Sequence, residues 1–161
     1  MPYLWTGPAT VRELLDHCTN DPSRLPPDSA SAYLITEHSW EGTPEPACNP
    51  LYVGGNSRDP NRFRTRVGDL IADMLGFYGG GTGHHSGGIS LNQWCQSHNK
   101  NPLDLYIAWV KDAACFRCAE IELHWDYHPS LNKIRPSKCR KHSSITPNHS
   151  LPSKNHLKIG Q

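Results

Sequence analysis

The 161-residue chain lacks a long apolar run and has few apolar residues overall. They make up 36% of it, and the mean hydropathy is −0.63. No segment approaches the about eighteen consecutive apolar residues of a membrane-spanning helix. Residues 1–10 lack the basic and apolar regions of a secretory signal, so we expect neither membrane insertion nor secretion. The 14 prolines and 13 glycines argue against a plain helical bundle and predict one compact domain with long loops.

Acidic residues are absent from the C-terminal part of the chain. The last one is Asp126, and residues 127–161 carry seven Lys or Arg, a formal charge of +7. Residues 1–126 carry nine Lys or Arg against all fifteen acids, a formal charge of −6. This asymmetry predicts a polyanionic partner for the basic part.

Two parts of the basic segment are expected to behave differently. Residues 143–161 are rich in Ser, Pro, Asn and Lys, a composition typical of a disordered tail. The preceding stretch, 133–141, lies next to cysteines and is expected to contact phosphate groups of that partner, foremost through Lys138, Arg140 and Lys141.

The six cysteines are expected to be free thiols or metal ligands in a reducing cytoplasm rather than disulfides. Two pairs have two-residue gaps, Cys115 with Cys118 and Cys139 with His142. Such pairs suit a tetrahedral Zn²⁺, because each tight turn supplies two ligands. Four protein ligands would make the zinc structural rather than catalytic. The alternative is ordinary buried thiols and an unrelated histidine.

Hydrophobic periodicity predicts the order α-β-β-α-(α)-β-α, an α+β domain with a small three-stranded antiparallel sheet flanked by helices. The first helix is expected to start at a capping box formed by Thr10 and Glu13. A glycine-rich loop is expected over 76–88. The predicted strands cover 32–37, 51–55 and 103–110, and the later predicted helices cover 59–75, 90–94 and 118–128.

The most specific pattern combines two tyrosines with a glutamate and an asparagine. Tyr33 lies in the first predicted strand and Tyr52 in the second, within Tyr-Val-Gly. In EIELHWDYHPSLN, proline follows Glu120 after nine residues and Asn132 follows after twelve. This order resembles the GIY-YIG nuclease family, whose excision-repair members have the same spacing. The resemblance covers about residues 33–132, although the first motif reads Ser-Ala-Tyr.

The resemblance implies a GIY-YIG-like fold and a metal-dependent DNA endonuclease. It implies that Glu120 holds Mg²⁺ (or Mn²⁺), that Tyr33 helps to activate water and that Tyr52 lines the same site. Asn132 would support the site by hydrogen bonding. One carboxylate suits this metal, because Mg²⁺ keeps several of its waters. Glu122 is the rival ligand, but it lies about 200° away on a helix, and the spacing favours Glu120.

The phosphate-binding arginine is open between two positions. The family spacing from the second tyrosine gives Arg62, whereas the family's helix pattern gives Arg66. The two lie four residues apart on one helix face. We favour Arg66, with Arg62 as a second contact and Arg64 as a further DNA-binding candidate. The alternative is a basic helix face that meets DNA or solvent.

Some family members carry a histidine one turn after that arginine, where this chain has Leu70. His84 or His85, in the glycine-rich loop, can take its place and is a candidate for DNA binding. The alternative is a pair of solvent-exposed turn residues.

The expected organisation has three parts: residues 1–30 form an N-terminal helix and linker, 31–142 the GIY-YIG-like nuclease domain with its zinc knuckles, and 143–161 a basic tail. The expected partner is DNA in the cytoplasm, with a homodimer if the cleaved site is palindromic. One alternative is a non-catalytic, zinc-stabilised nucleic-acid-binding module. Another is a protein-interaction adaptor, which would leave the acid-free tail unexplained.

Overall fold

The computed structural model describes residues 3–30, 32–56, 61–77, 85–111, 113–134, 139 and 142. Within these residues the chain forms four strands and four α-helices, which confirms the expected α+β class. In chain order they are β1 (Trp5–Thr10), α1 (Val11–Asn20), β2 (Ala32–Thr36), β3 (Pro50–Gly55), α2 (Phe63–Met74), α3 (Ser86–Ser97), β4 (Tyr106–Val110) and α4 (Phe116–Tyr127).

The sheet is antiparallel with the strand order β1-β4-β2-β3. It therefore has four strands and not the expected three. The additional strand, β1, pairs with β4, and its register shifts between Thr6 and Ala9, around Gly7 and Pro8. Gly and Pro hide the alternation that marks a strand, and an edge strand tolerates them because one side needs no ladder hydrogen bonds.

The sheet separates two apolar clusters, because successive side chains of a strand point to opposite faces. Tyr33 and Ile35 of β2 belong to the cluster built with α1, α2 and α3. Ala32 and Leu34 belong to the cluster built with α4. The central strand is thus covered on both faces.

The helix starts follow local signals only in part. Thr10 and Glu13 form the expected capping box at the start of α1. The second helix begins at Phe63 rather than near residue 59, with Arg62 as its N-cap. It ends before Gly76, whose φ of 90° requires a glycine.

Helix α3 is longer than the short helix expected from Ser90, because Gly87 and Gly88 are helical rather than part of a loop. Both glycines are buried, and a Cβ on either would collide with neighbouring atoms of Tyr52, Leu70 or Asp73. Close packing, which periodicity does not register, therefore explains these two glycines.

No helix in the described part of the chain is long and apolar enough to cross a lipid bilayer. No disulfide joins any of the six cysteines, all of which are described. The expected basic tail, 143–161, lies outside the described residues.

Candidate functional site

Tyr33 and Tyr52 lie side by side on one face of the sheet. In the β2–β3 register Tyr33 is opposite Gly54 and Ile35 is opposite Tyr52, so the two tyrosines are diagonal neighbours. Their ring centroids are 6.2 Å apart. A Cβ on Gly54 would overlap the Tyr33 hydroxyl, so this glycine makes room for the buried phenol.

His85 is an interior residue and not an exposed turn residue. It is the N-cap of α3, with 3% of its surface exposed, and its Nε2 lies 3.1 Å from the Tyr33 hydroxyl. Its backbone N–H donates to the Asp73 carboxylate of α2. Burial and then the charge of Arg66 lower the pKa of His85 to about 4, so the ring is neutral near pH 7. His85 therefore faces the tyrosines from inside the molecule.

Glu120 is a mostly buried carboxylate with a cation as its direct partner. Its side chain is 13% exposed, and its Oε2 accepts a hydrogen bond from Nη1 of Arg117 at 3.0 Å. Burial raises the pKa of Glu120, while Arg117 and, more weakly, Arg66 oppose that rise. Glu122 has a separate partner, because it accepts a hydrogen bond from the Tyr3 hydroxyl.

The charges of Glu120 and Arg66 act on both tyrosines. Burial, followed by the negative charge of Glu120, raises the pKa of Tyr52 to about 12, and Arg66 opposes this. Burial raises the pKa of Tyr33 as well; Tyr52 and Glu120 add to the rise and Arg66 opposes it. Residues from β2, β3, α2 and α4 therefore share one electrostatic environment, in which both phenols stay protonated at neutral pH.

The three arginines around the start of α2 have different surroundings. Arg66 is half-buried and acts electrostatically on the tyrosines, His85 and Glu120. Arg62 is exposed. Arg64 is exposed as well, but its Nε donates to the Pro26 carbonyl at 2.9 Å, which directs it toward the 26–28 loop.

Asn132 fastens the outer edge of β3. Its Oδ1 accepts from the N–H of Val53 at 2.8 Å, and its Nδ2 donates to the carbonyl of Val53 at 2.8 Å. The N–H of Leu131 bonds the Leu51 carbonyl at 2.9 Å. The stretch after α4 thus satisfies the backbone on both sides of Tyr52, and Asn132 positions the strand that carries this tyrosine.

The four residues of the Cys3His pattern converge. Their ligand atoms all lie within 4.8 Å of one another. The Sγ atoms of Cys115 and Cys139 are 3.8 Å apart, and Nδ1 of His142 lies 3.5 Å from Sγ of Cys118 and 3.7 Å from Sγ of Cys139. Zn–S bonds of about 2.3 Å and Zn–N bonds of about 2.0 Å at tetrahedral angles give about 3.8 and 3.5 Å. The cluster can therefore hold a metal ion such as zinc.

Some predicted contacts lie outside the described residues, and some site residues were not predicted. The predicted contacts outside the described residues are His84, Lys138, Arg140 and Lys141. The site residues that the sequence analysis did not predict are Arg117, Asp73 and Gly54. Arg117 sits between two predicted zinc ligands and three residues before Glu120, a spacing that was a usable signal. Asp73 had no such signal.

Comparisons of the chain with protein-family models, with curated proteins and with solved structures gave no match. Function therefore has to be inferred from the chemistry of the site.

Proposed function

We propose that the protein is a metal-dependent DNA endonuclease of the GIY-YIG type, with a GIY-YIG-like arrangement of β2, β3 and β4. The observation that carries this proposal is the shared environment of Tyr33, Tyr52, Arg66 and Glu120. Phosphodiester hydrolysis needs a metal ligand, a cation for the phosphate and groups that orient water, and these four residues supply them.

Glu120 is the residue that would hold Mg²⁺ or Mn²⁺. A single carboxylate fits an ion that retains most of its waters, and 13% of the Glu120 side chain stays exposed. Bound there, the ion would supply Lewis-acid polarisation of the scissile phosphate. Partial burial strengthens the attraction between the carboxylate and a cation, and it adds a desolvation cost for both.

The tyrosines have different tasks in this proposal. Tyr33 is fully buried and bonded to His85, whereas Tyr52 is half-buried. The Tyr52 side chain is therefore the more accessible one. In this proposal it would orient the attacking water in place of Tyr33, to which the resemblance assigns that task, while Tyr33 and His85 pack against its ring. Because both phenols are protonated at neutral pH, they would act through hydrogen bonds rather than as standing phenolates.

Arg66 would bind the scissile phosphate, because its planar donors match two phosphate oxygens. Arg62, exposed one helical turn away, would make a second backbone contact. Lys138, Arg140 and Lys141 would extend the grip on DNA beyond the described residues. A palindromic target would require two such sites and hence a homodimer.

The Cys3His cluster would bind structural Zn²⁺. Cys115 is the N-cap of α4, and Cys139 and His142 follow the Asn132 segment. A zinc ion would thus tie the start of the Glu120 helix to the chain that leaves the edge of β3.

A non-catalytic, zinc-stabilised nucleic-acid-binding module is the second candidate. Two observations favour it. Arg117 already forms an ion pair with the Glu120 carboxylate, and Tyr33 is fully buried. Such a module would bind DNA without cleaving it.

Incubation of supercoiled plasmid with the zinc-loaded protein tests the proposal. We expect nicked or linear DNA with Mg²⁺ or Mn²⁺ and none with Ca²⁺ or excess EDTA. Glu120→Gln, purified in parallel, should give none, which excludes a contaminating nuclease. Retained DNA binding with no cleavage under any metal would overturn the catalytic proposal in favour of the binding module.

A further inference from the structure

Arg117 is the cation in direct contact with the candidate metal ligand. It lies in the first turn of α4, between Cys115 and Cys118, and its side chain is 31% exposed. Its Nη1 is 3.0 Å from Oε2 of Glu120, three residues later in the same helix. Any cation that binds this carboxylate must share or replace that partner.

Helix stability does not explain the position of Arg117. The first turn of a helix is the positive end of its dipole and disfavours a cation by about 0.3–1 kcal/mol. The first turn of α4 holds no acidic residue, and the one carboxylate paired with Arg117, that of Glu120, follows in the next turn. An arginine that precedes its glutamate is the less favourable order of such a pair. A local conflict of this kind is typical of a functional site.

A divalent cation at Glu120 would release the guanidinium without moving its backbone. The backbone N–H of Cys118 donates to Sγ of Cys115, so the turn that carries Arg117 is fixed by the Cys3His cluster. The released fork would lie within a side-chain's reach of a phosphate held by the same cation, and guanidinium forks match phosphate geometry. Arg66 approaches from α2, so that phosphate would meet arginines from two helices.

We propose that Arg117 is a metal-gated phosphate-binding residue, paired with Glu120 in the cation-free protein and bound to a DNA phosphate once a divalent cation occupies that carboxylate. This inference rests on the proposed function, because it assigns DNA phosphate and a divalent cation to the same site. Its consequence is a coupling, in which Arg117 contributes to DNA affinity only when the cation is present.

The experiment measures binding of a fluorescein-labelled DNA duplex to the full-length, zinc-loaded protein, with and without Ca²⁺ as the non-cleaving cation. Without Ca²⁺, we expect Arg117→Met to bind within about twofold of wild type, because the wild-type guanidinium is already engaged. With Ca²⁺, we expect the variant to bind about tenfold more weakly than wild type, the typical effect of one charge-assisted hydrogen-bonded contact. Arg117→Lys should recover part of the loss.

A Ca²⁺ titration without DNA gives an independent readout. Removal of the competing guanidinium should tighten Ca²⁺ binding about two- to fivefold, the range expected for a partly exposed ion pair. Arg12→Met is the matched control, since Arg12 forms an ion pair with Asp104 at 2.8 Å and both side chains are more than half exposed. It should change neither measurement.

Several outcomes would overturn the inference. Equal weakening with and without Ca²⁺ would make Arg117 an ordinary surface cation, and loss of zinc from both Arg117 variants would make it part of the cluster. Unchanged binding in both conditions would leave it no role in binding DNA. If the Arg117 variants cleave DNA with Mg²⁺ as fast as wild type does, this inference alone is overturned. If Arg117 contributes to DNA affinity only with Ca²⁺ but the wild-type protein does not cleave DNA with any metal, the nuclease proposal alone is overturned.

Discussion

Glu120 and Glu122 are two residues apart on α4, yet their surroundings give them different chemistry. Glu120 is mostly buried beside Arg117 and acts on both tyrosines, whereas Glu122 accepts a hydrogen bond from Tyr3. The helical rotation of about 200° between them produces this difference. At the scale of single residues, the site is therefore defined by which neighbours a carboxylate meets.

The two glutamates provide the sharpest test of the catalytic assignment. Glu120→Gln should lower the rate of plasmid cleavage at least about a hundredfold, because the loss of a metal-ligating carboxylate removes several kcal/mol of transition-state stabilisation. DNA binding without added metal should not weaken, and it should tighten if Arg117, released from its charged partner, reaches a DNA phosphate. Glu122→Gln, the matched control, should retain most activity in the same time course. Equal rates for the two variants would refute the assignment.

His85 predicts a pH dependence of stability. Its folded pKa of about 4 lies below the ordinary value of 6.5, so the unfolded chain binds a proton more readily. The stabilisation is complete above about pH 6.5 and is lost as the pH falls toward 4, by about 3 kcal/mol in total. Urea unfolding at pH 7.5 and 5.0 should therefore show a smaller pH effect in His85→Gln than in wild type.

The exposed His98 supplies the control for that experiment. His98→Gln should leave the wild-type pH effect unchanged, because it replaces an exposed surface residue and not the buried His85. An undiminished pH effect in His85→Gln would mean that His85 is not the titrating group. Acid release of zinc would affect all three proteins equally and cancels in the comparison.

At the scale of secondary-structure elements, β3 owes its position to a segment that is not a strand. One edge of β3 pairs with β2, and the chain after α4 covers the other through Ser130, Leu131 and Asn132. This arrangement satisfies edge hydrogen bonds that would otherwise invite pairing with another chain. It also ties the helix that carries Glu120 to the strand that carries Tyr52.

Truncation of the Asn132 amide should loosen this connection. Asn132→Ala removes both bonds to Val53, and we expect a loss of about 1–3 kcal/mol in the free energy of unfolding. Hydrogen exchange at the Val53 amide should rise with it. Asn20→Ala, which removes an exposed bond to Asp16, is the control and should cost much less. Comparable losses in both variants would mean that the Asn132 bonds contribute little.

At the scale of the whole molecule, the fold contains two kinds of core: apolar clusters and a cluster of candidate metal ligands. The sheet carries apolar clusters on both faces, and the Cys3His cluster brings the start of α4 together with Cys139 and His142. Cys139 and His142 lie in a region with few apolar residues, so metal coordination would supply the stabilisation that packing does not.

Loss of one metal ligand should therefore act on the whole fold. Wild-type protein should contain one zinc per chain by elemental analysis, and Cys139→Ser should contain none. We expect Tm to fall by about 10 °C, the shift that a loss of roughly 3–4 kcal/mol gives in a chain of this size. Cys18→Ser, at an exposed thiol outside the cluster, should keep both the zinc and the Tm. A stable wild-type protein without metal would refute the zinc assignment.

Local signals in the sequence determined most of the elements and one cluster of ligands. The capping box at Thr10, the short apolar run of β2 and the apolar stripe of α2 all act over a few residues, so their consequences are readable without a fold. The Cys-x-x-Cys and Cys-x-x-His turns are local in the same sense, and the structure brings the two pairs together.

The tertiary structure alone decided where β1, α3 and His85 lie and how Arg117 and Asn132 are used. Strand β1 exists because β4 offers it an edge, and Gly87 and Gly88 enter a helix because Tyr52, Leu70 and Asp73 leave no room for side chains. His85 is buried by contacts with residues 12 and 52 positions away. Such placements depend on long-range packing and hydrogen bonds, and no pattern within a few residues encodes them.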